Sequence, residues 1–184
     1  FIDGINDFLP EHTFSTTSDG YTVYVSWDLD FFFVGMSGPD VAADSATKWV
    51  LAYLSGSPGT STGVLYNTQQ PGLGFSAATH VRWRTDNGHT GAMDWSGSDW
   101  EDALWDFSGD VFQNGTFVEM RFPRADIGDP SILRLVLAMI NEQGDYEGTY
   151  AGCPDDTFTD GYDRDFATWL QFAFGACETP VEQN

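Results

Sequence analysis

Carboxylates are the commonest groups in this sequence that are able to do chemistry. Asp28 and Asp30 flank Leu29 at an expected turn, and Asp99, Glu101 and Asp102 cluster beside Trp100. Glycoside hydrolysis needs two such groups facing one another across a sugar ring. Spacing along the chain does not place them so, and acids at turns are ordinarily solvated. The expectation is therefore a chain that performs no covalent reaction, with a glycoside hydrolase as the alternative. His80 shares one strand face with Arg82 and Arg84, a position that suits a surface or ligand-lining histidine better than a general base.

A hard cation is the metal these residues suit best. Between residues 155 and 165 stand five aspartates, Asp155, Asp156, Asp160, Asp163 and Asp165, with Gly161 among them to let the loop turn tightly. Calcium takes carboxylate and carbonyl oxygens from flexible loops, so a structural calcium site is one reading. The pattern is not an EF-hand, because counting from Asp156 puts Phe158 third and Ala167 twelfth. The other reading is a plain acidic loop tethered by Cys153. Asp40 and Asp44 form a weaker candidate.

Trp95, Trp100 and Trp105, with Asp99, are the candidates for an organic ligand. They lie in MDWSGSDWEDALWD, a stretch too polar and glycine-rich to be wholly core. Indole faces stack on the apolar faces of sugar rings, and neighbouring acids accept hydroxyl hydrogen bonds. The competing reading packs these rings over a sheet edge. Trp27, Trp49, Trp83 and Trp169 sit in apolar strand contexts and are expected in the core.

Charge narrows the partners. Twenty-eight acids stand against seven lysines and arginines, a formal net charge of -21, and Lys48 is the only lysine. Such a surface repels phosphate backbones and anionic lipid, so neither nucleic acid nor membrane insertion is expected. No run of about 18 apolar residues is present to cross a bilayer. Cys153 and Cys177 are too few for a four-ligand zinc site without histidines, and no histidine has ligand spacing to them. The preferred reading is one disulfide, which fits an oxidising compartment; two buried thiols are the alternative. Asn114-Gly115-Thr116 is a glycosylation sequon at an expected turn. The chain opens on Phe1 rather than Met, which is read as a mature secreted chain with its leader removed, or otherwise as a trimmed one.

The elements that must carry these groups are strands. Strand-like runs recur at 21–27, 30–37, 48–54, 78–84, 90–95, 116–122 and 166–174, separated by Gly, Pro, Asp and Asn turns, and 132–140, the most apolar segment, is read as a strand from its nine-residue length although periodicity alone also allows a buried helix. Asp outnumbers Glu by 21 to 7, which suits turns better than helices. The segment SGSPGTSTG, residues 55–63, reads as a flexible loop, and PRADIG, residues 123–128, as one helical turn ended by Gly128. The expected fold is all-β: a single domain over 1–184, a jelly-roll-like antiparallel β-sandwich with long loops and one or two short helical turns.

The order of several local phrases resembles a known family. Phe1-Ile2-Asp3-Gly4 is followed by Ser26-Trp27-Asp28, Phe33-Val34-Gly35 and Gly38-Pro39-Asp40. Lys48-Trp49-Val50, Tyr53-Leu54, Gly59-Thr60 and Gln70-Pro71 come next, then Phe75, His80-Val81-Arg82-Trp83, Val118-Glu119 and Phe122 through Gly128. Together they resemble the extracellular carbohydrate-binding-module-family-9-like, or DOMON-like, β-sandwich domains over most of the chain. The resemblance implies a jelly-roll-like sandwich, and such domains bind sugars, haem or other ligands and often carry structural calcium. The haem ligands on offer would be His80, Met36, Met93, Met120 and Met139, though methionines in apolar strands are ordinarily core filler.

Two functions follow. The first is a non-catalytic module at the cell surface or outside the cell that binds a glycan or another extracellular ligand. The second is a structural subunit of a self-associating filament or surface layer. Its N-terminal segment, residues 1–14, would then pair with a neighbour's sheet edge.

Overall fold

The computed structural model describes residues 2–66, 69–144 and 146–174, and the backbone of 181–183. Fourteen strands run in this order: β1 (Thr13–Ser15), β2 (Thr22–Trp27), β3 (Phe31–Ser37), β4 (Lys48–Thr62), β5 (Gly72–Arg84), β6 (Thr90–Trp95), β7 (Trp100–Asp102), β8 (Val111–Asn114), β9 (Phe117–Pro123), β10 (Ile132–Gln143), β11 (Tyr146–Cys153), β12 (Gly161–Tyr162), β13 (Trp169–Ala173) and β14 (Val181–Gln183). The described residues hold no α-helix, and so none that is long and apolar enough to cross a membrane. Three short 3-10 turns cover Pro10–His12, Pro39–Ala42 and Phe107–Asp110.

The strands form two antiparallel sheets. The smaller has the order β1-β2-β3-β9-β8; the larger runs β12-β11-β10-β4-β5-β6-β7, with β13 on β10 and β14 on β13. The chain is thus the all-β sandwich that its alternating pattern predicts. β2 places Val23 and Val25 inward, β3 places Phe32, Val34 and Met36 inward, and β9 adds Val118, Met120 and Phe122. They meet Val50, Ala52, Leu54, Val81, Trp83, Leu135 and Leu137 from the larger sheet. Burying each large apolar side chain contributes about 1.5–3 kcal/mol, which offsets the entropy of ordering the strands.

The larger sheet is covered on its outer face as well. Trp49, Leu51, Tyr53, Val136, Ala138 and Ile140 point away from the sandwich interior into a second apolar cluster. It is roofed by Val64, Tyr66, Leu73, Phe75 and Phe166. Burial on both faces is why residues 132–140 are the most apolar segment of the sequence, interrupted by Arg134 alone. β10 is long enough to change partners: Ile132–Leu135 pair with β13, and Leu137–Gln143 with β11.

Two expectations about local structure need correction. The segment 55–63 is not simply a flexible loop, because β4 continues to Thr62. Ser55 and Thr60 both face Ala77, so Gly56–Gly59 bulge out between them. Gly56 is required there, since a Cβ would stand 2.5 Å from that of Ala78. Residues 166–168 lie outside β13, which starts at Trp169. The 123–128 turn forms as expected: the Ile127 N–H donates to the Pro123 carbonyl at 3.3 Å, and Gly128 takes φ +80°.

Candidate functional site

The bulge of β4 and the turn between β9 and β10 form the two banks of a groove of about 580 Å³. Ser55, Ser57 and Pro58 line one bank; Asp126, Gly128 and Ser131 line the other. Its floor comes from neighbouring strands: Thr79 of β5, Asp94 and Trp95 of β6, and Arg134 of β10. Register explains the convergence, because Thr79 pairs with both Leu54 and Asp94, just where β4 leaves the ladder.

The floor carries a graded set of polar groups. The Thr79 hydroxyl donates to Asp94 Oδ1 at 2.8 Å. Burial pushes the Asp94 carboxyl above its ordinary range, and the Asp126 charge adds to this, while the Thr79 hydrogen bond works against it. Arg134 donates from Nε to Gln171 Oε1 at 3.0 Å and has no carboxylate within ion-pair distance among the described residues. A half-buried indole, hydroxyls, carboxylates and one guanidinium suit a polyhydroxylated ligand, whose rings have apolar faces and whose rims donate and accept.

Of the four residues proposed for an organic ligand, only Trp95 lines this groove. Trp100 is buried, packs at 5.7 Å against Trp95, and donates from its indole N–H to the Thr62 carbonyl at 3.0 Å. Trp105 packs at the margin of the main core, edge-on to Phe107 at 5.5 Å. Asp99 is exposed in the β6–β7 turn, where its Oδ1 accepts the Trp100 N–H at 2.9 Å. The sequence missed Asp94, Thr79, Asp126 and Arg134. Thr79 and Asp94 meet only through strand register, and Asp126 and Arg134 arrive from distant segments.

The five aspartates of the proposed calcium loop are not brought together. Asp160 accepts the Thr17 hydroxyl, and the Ser18 hydroxyl at 2.5 Å. Asp165 accepts the Gly72 N–H at 2.5 Å, and Asp156 accepts the Thr168 hydroxyl at 2.6 Å. Asp155 and Asp163 are exposed. Each of the three bonded carboxylates ties the loop to a different segment. Among the described residues no three Asp, Glu, His or Cys are grouped to hold a metal ion. Asp40 instead binds Lys48 Nζ at 2.5 Å and the Tyr150 hydroxyl at 3.0 Å.

His80 is fully buried, not at the surface. Its Nδ1 lies 3.0 Å from the Ala52 carbonyl, which can only accept, so Nε2 accepts from the Tyr66 hydroxyl at 2.5 Å. Tyr53 stacks on the ring at 4.3 Å. Burial, aided by Arg82, pushes its pKa down to about 3, so the ring is uncharged at neutral pH. The letters of Gly59-Thr60-Ser61-Thr62-Gly63 fit a nucleophile elbow. An elbow needs a strand-to-helix turn, whereas Ser61 is an exposed residue of β4.

Cys153 is buried at the end of β11; Cys177, its proposed disulfide partner, lies outside the described residues. Asn114 is exposed at the β8–β9 turn, where Gly115 takes φ +57°. The N-terminal segment is seated on this chain's own smaller sheet. Phe14 belongs to β1, paired with β2, and Phe8 packs on Tyr24 at 5.6 Å and Phe117 at 6.3 Å.

The class of protein that the fold defines is an antiparallel β-sandwich whose larger sheet has a second, outer apolar layer. No family model, curated protein or solved structure matches the chain.

Proposed function

We propose that the chain is a non-catalytic binding module of the extracellular space or cell surface, and that the groove floored by Trp95, Asp94 and Arg134 takes a glycan. The observation that carries this reading is that the half-buried Trp95, the carboxylate-bearing Asp94, Thr79 and Arg134 all line one open 580 Å³ groove. Stacking on a sugar face and hydrogen bonds to its rim need that combination. The family resemblance in the strand phrases supports the same class of ligand. A glycan array followed by calorimetry tests it: a neutral or acidic oligosaccharide binds, and Trp95→Ala weakens binding at least tenfold, about 1.4 kcal/mol, without changing the circular dichroism spectrum. Absence of binding to every glycan, or equal affinity in Trp95→Ala, overturns it.

A second reading draws on Asp94 and Asp126, two carboxylates lining one groove, of which Asp94 has a raised pKa. A glycoside hydrolase would use such a pair as acid and base or nucleophile. The same bound oligosaccharide decides between them: release of reducing ends, abolished by Asp94→Asn, favours hydrolysis, and intact recovery of the ligand favours binding alone.

A further inference from the structure

The outer face of the larger sheet gathers cations in a chain that is otherwise short of them. Arg82 and Arg84 project from β5 on this face, and both guanidinium groups lie over the Trp49 ring, at 6.0 and 5.4 Å from its centroid. His89 meets the same indole edge-on at 5.3 Å. Arg82 also lies over the Tyr66 ring at 5.5 Å.

Arg82 is held without a counter-charge. Its Nε donates to His89 Nε2 at 3.2 Å and its Nη1 to the Tyr66 hydroxyl at 3.4 Å. His89 is kept below its ordinary pKa by burial and by the two arginines, so both acceptors are neutral. The described ion pairs are Lys48–Asp40, Arg84–Asp86, Arg121–Asp110 and Arg124–Asp129. Arg82 is in none of them, although the chain has 28 acids to offer. Among the described residues Arg134 and Arg164 also have no carboxylate within ion-pair distance, but neither of them sits with a second guanidinium and a histidine as Arg82 does. Beside it is an orphaned donor: the Trp49 indole N–H is buried and has no hydrogen-bond partner among the described residues, in a residue only 8% exposed. A buried N–H left unpaired is costly, so an acceptor brought to it is favoured. The carboxylates that reach the cluster are Asp86 on Arg84, Asp102 beside His89, and Glu142 and Glu147 toward Tyr66.

We propose that Arg82, Arg84, His89 and Trp49 form a second binding site, for an oxyanion of the carboxylate or sulfate class. Of the Arg82 guanidinium nitrogens, Nε and Nη1 are committed to His89 and Tyr66, while Nη2 has no hydrogen bond among the described residues and is the donor a charged oxygen would meet first, with the second N–H of Nη1 beside it. The Trp49 N–H supplies the next donor. The site is separate from the glycan groove. Thr79 lines that groove, and Arg84 is five residues further along β5, roughly 17 Å at about 3.3 Å per residue. Its test therefore does not depend on the groove.

The test is a nitrogen-15 NMR titration of the full chain with sodium sulfate and with glucuronate, ionic strength being held constant with chloride. The Trp49 indole N–H, assigned by Trp49→Phe, and the Arg82 Nε–H are the reporters. Saturable shifts at both are expected. Arg82→Gln should weaken the affinity at least tenfold, and Arg82→Lys, which keeps the charge but loses the fork, should weaken it severalfold. Trp95→Ala should leave it unchanged. If Arg82→Gln fails to fold by circular dichroism, Arg84→Gln replaces it with the same expectation. Chondroitin sulfate forms a further arm. A gain of tenfold or more over sulfate at the same reporters identifies an anion displayed on a polymer, and equal affinity identifies the free ion. Shifts that do not saturate, that chloride reproduces, or that survive in both arginine variants overturn the site.

Discussion

At the scale of single residues, Glu147 has the most measurable consequence. It sits on β11, 4% exposed, and its Oε2 is buried without a hydrogen-bond partner among the described residues. Burial pushes its pKa up to about 7, and the charges of Glu142 and Asp163 add to the shift. A carboxyl raised in the folded state stabilises the fold most while both states bind the proton, below the unfolded value of 4.5. That contribution is lost as pH rises through about 7, because the unfolded chain then ionises at no cost while the folded one resists. The loss is on the order of 3 kcal/mol. Urea midpoints of the natural chain should therefore fall between pH 5 and 8, and Glu147→Gln should flatten that part of the curve. An unchanged slope in the variant would assign the effect to other groups. Nothing in the sequence singles out Glu147 or the burial of His80. Nothing in their local strings marks them for burial, which for His80 depends on Tyr66 and Tyr53 closing against its ring.

At the scale of elements, the N-terminal segment shows how a glycine sets a docking surface. Gly35 faces outward on β3, and a Cβ there would stand 2.7 Å from Phe117 Cε2 and 3.1 Å from Phe8 Cε2. The bare backbone lets Phe8 lie down, while the Asp3 N–H donates to Glu119 at 3.3 Å and closes the segment over the sheet. Phe8→Ala or Gly35→Val should speed cleavage within residues 3–12 by at least tenfold in limited proteolysis and leave the body of the sandwich resistant. Cleavage no faster than in the natural chain would mean that other contacts hold the segment. Strands of this kind were legible where one face meets the core, as in Val23, Val25, Phe32 and Val34. The eight runs read from the sequence all became strands, though 166–174 contracted to β13. The short edge strands β1, β7, β8 and β12 were not legible, since two to four residues carry too little alternation to be seen, and the eight-residue β11 was missed as well, because YEGTYAGC is glycine-rich and shows no apolar alternation. The groove was half legible: Trp95 stood out by its context, but its neighbours depend on register and on a bulge that composition presents as a loop.

At the scale of the whole molecule, charge opposes the fold that apolar burial creates. The four described ion pairs are partly exposed, with side-chain exposures from 11% to 71%, and pairs of that kind contribute about 0–1 kcal/mol each. Against them stands the mutual repulsion of a chain at -21, spread over a surface of 8279 Å². Added salt weakens both, since the Debye length falls from about 30 Å at 0.01 M to about 3 Å at 1 M. Repulsion acts between many distant charges, whereas the pairs act at contact, so screening removes more of the repulsion. The midpoint of thermal unfolding should therefore rise as sodium chloride goes from 0.01 to 1 M, by several degrees, because 1 kcal/mol corresponds to about 2–4 °C in a domain of this size. Sodium sulfate at matched ionic strength should raise it further, partly because sulfate is excluded from protein surfaces; if the Arg82 site also holds the anion in the folded state alone, Arg82→Gln should remove that part of the increment and leave the rest. A midpoint that falls with sodium chloride would show that the ion pairs outweigh the repulsion, and the charge balance would then have to be assigned residue by residue.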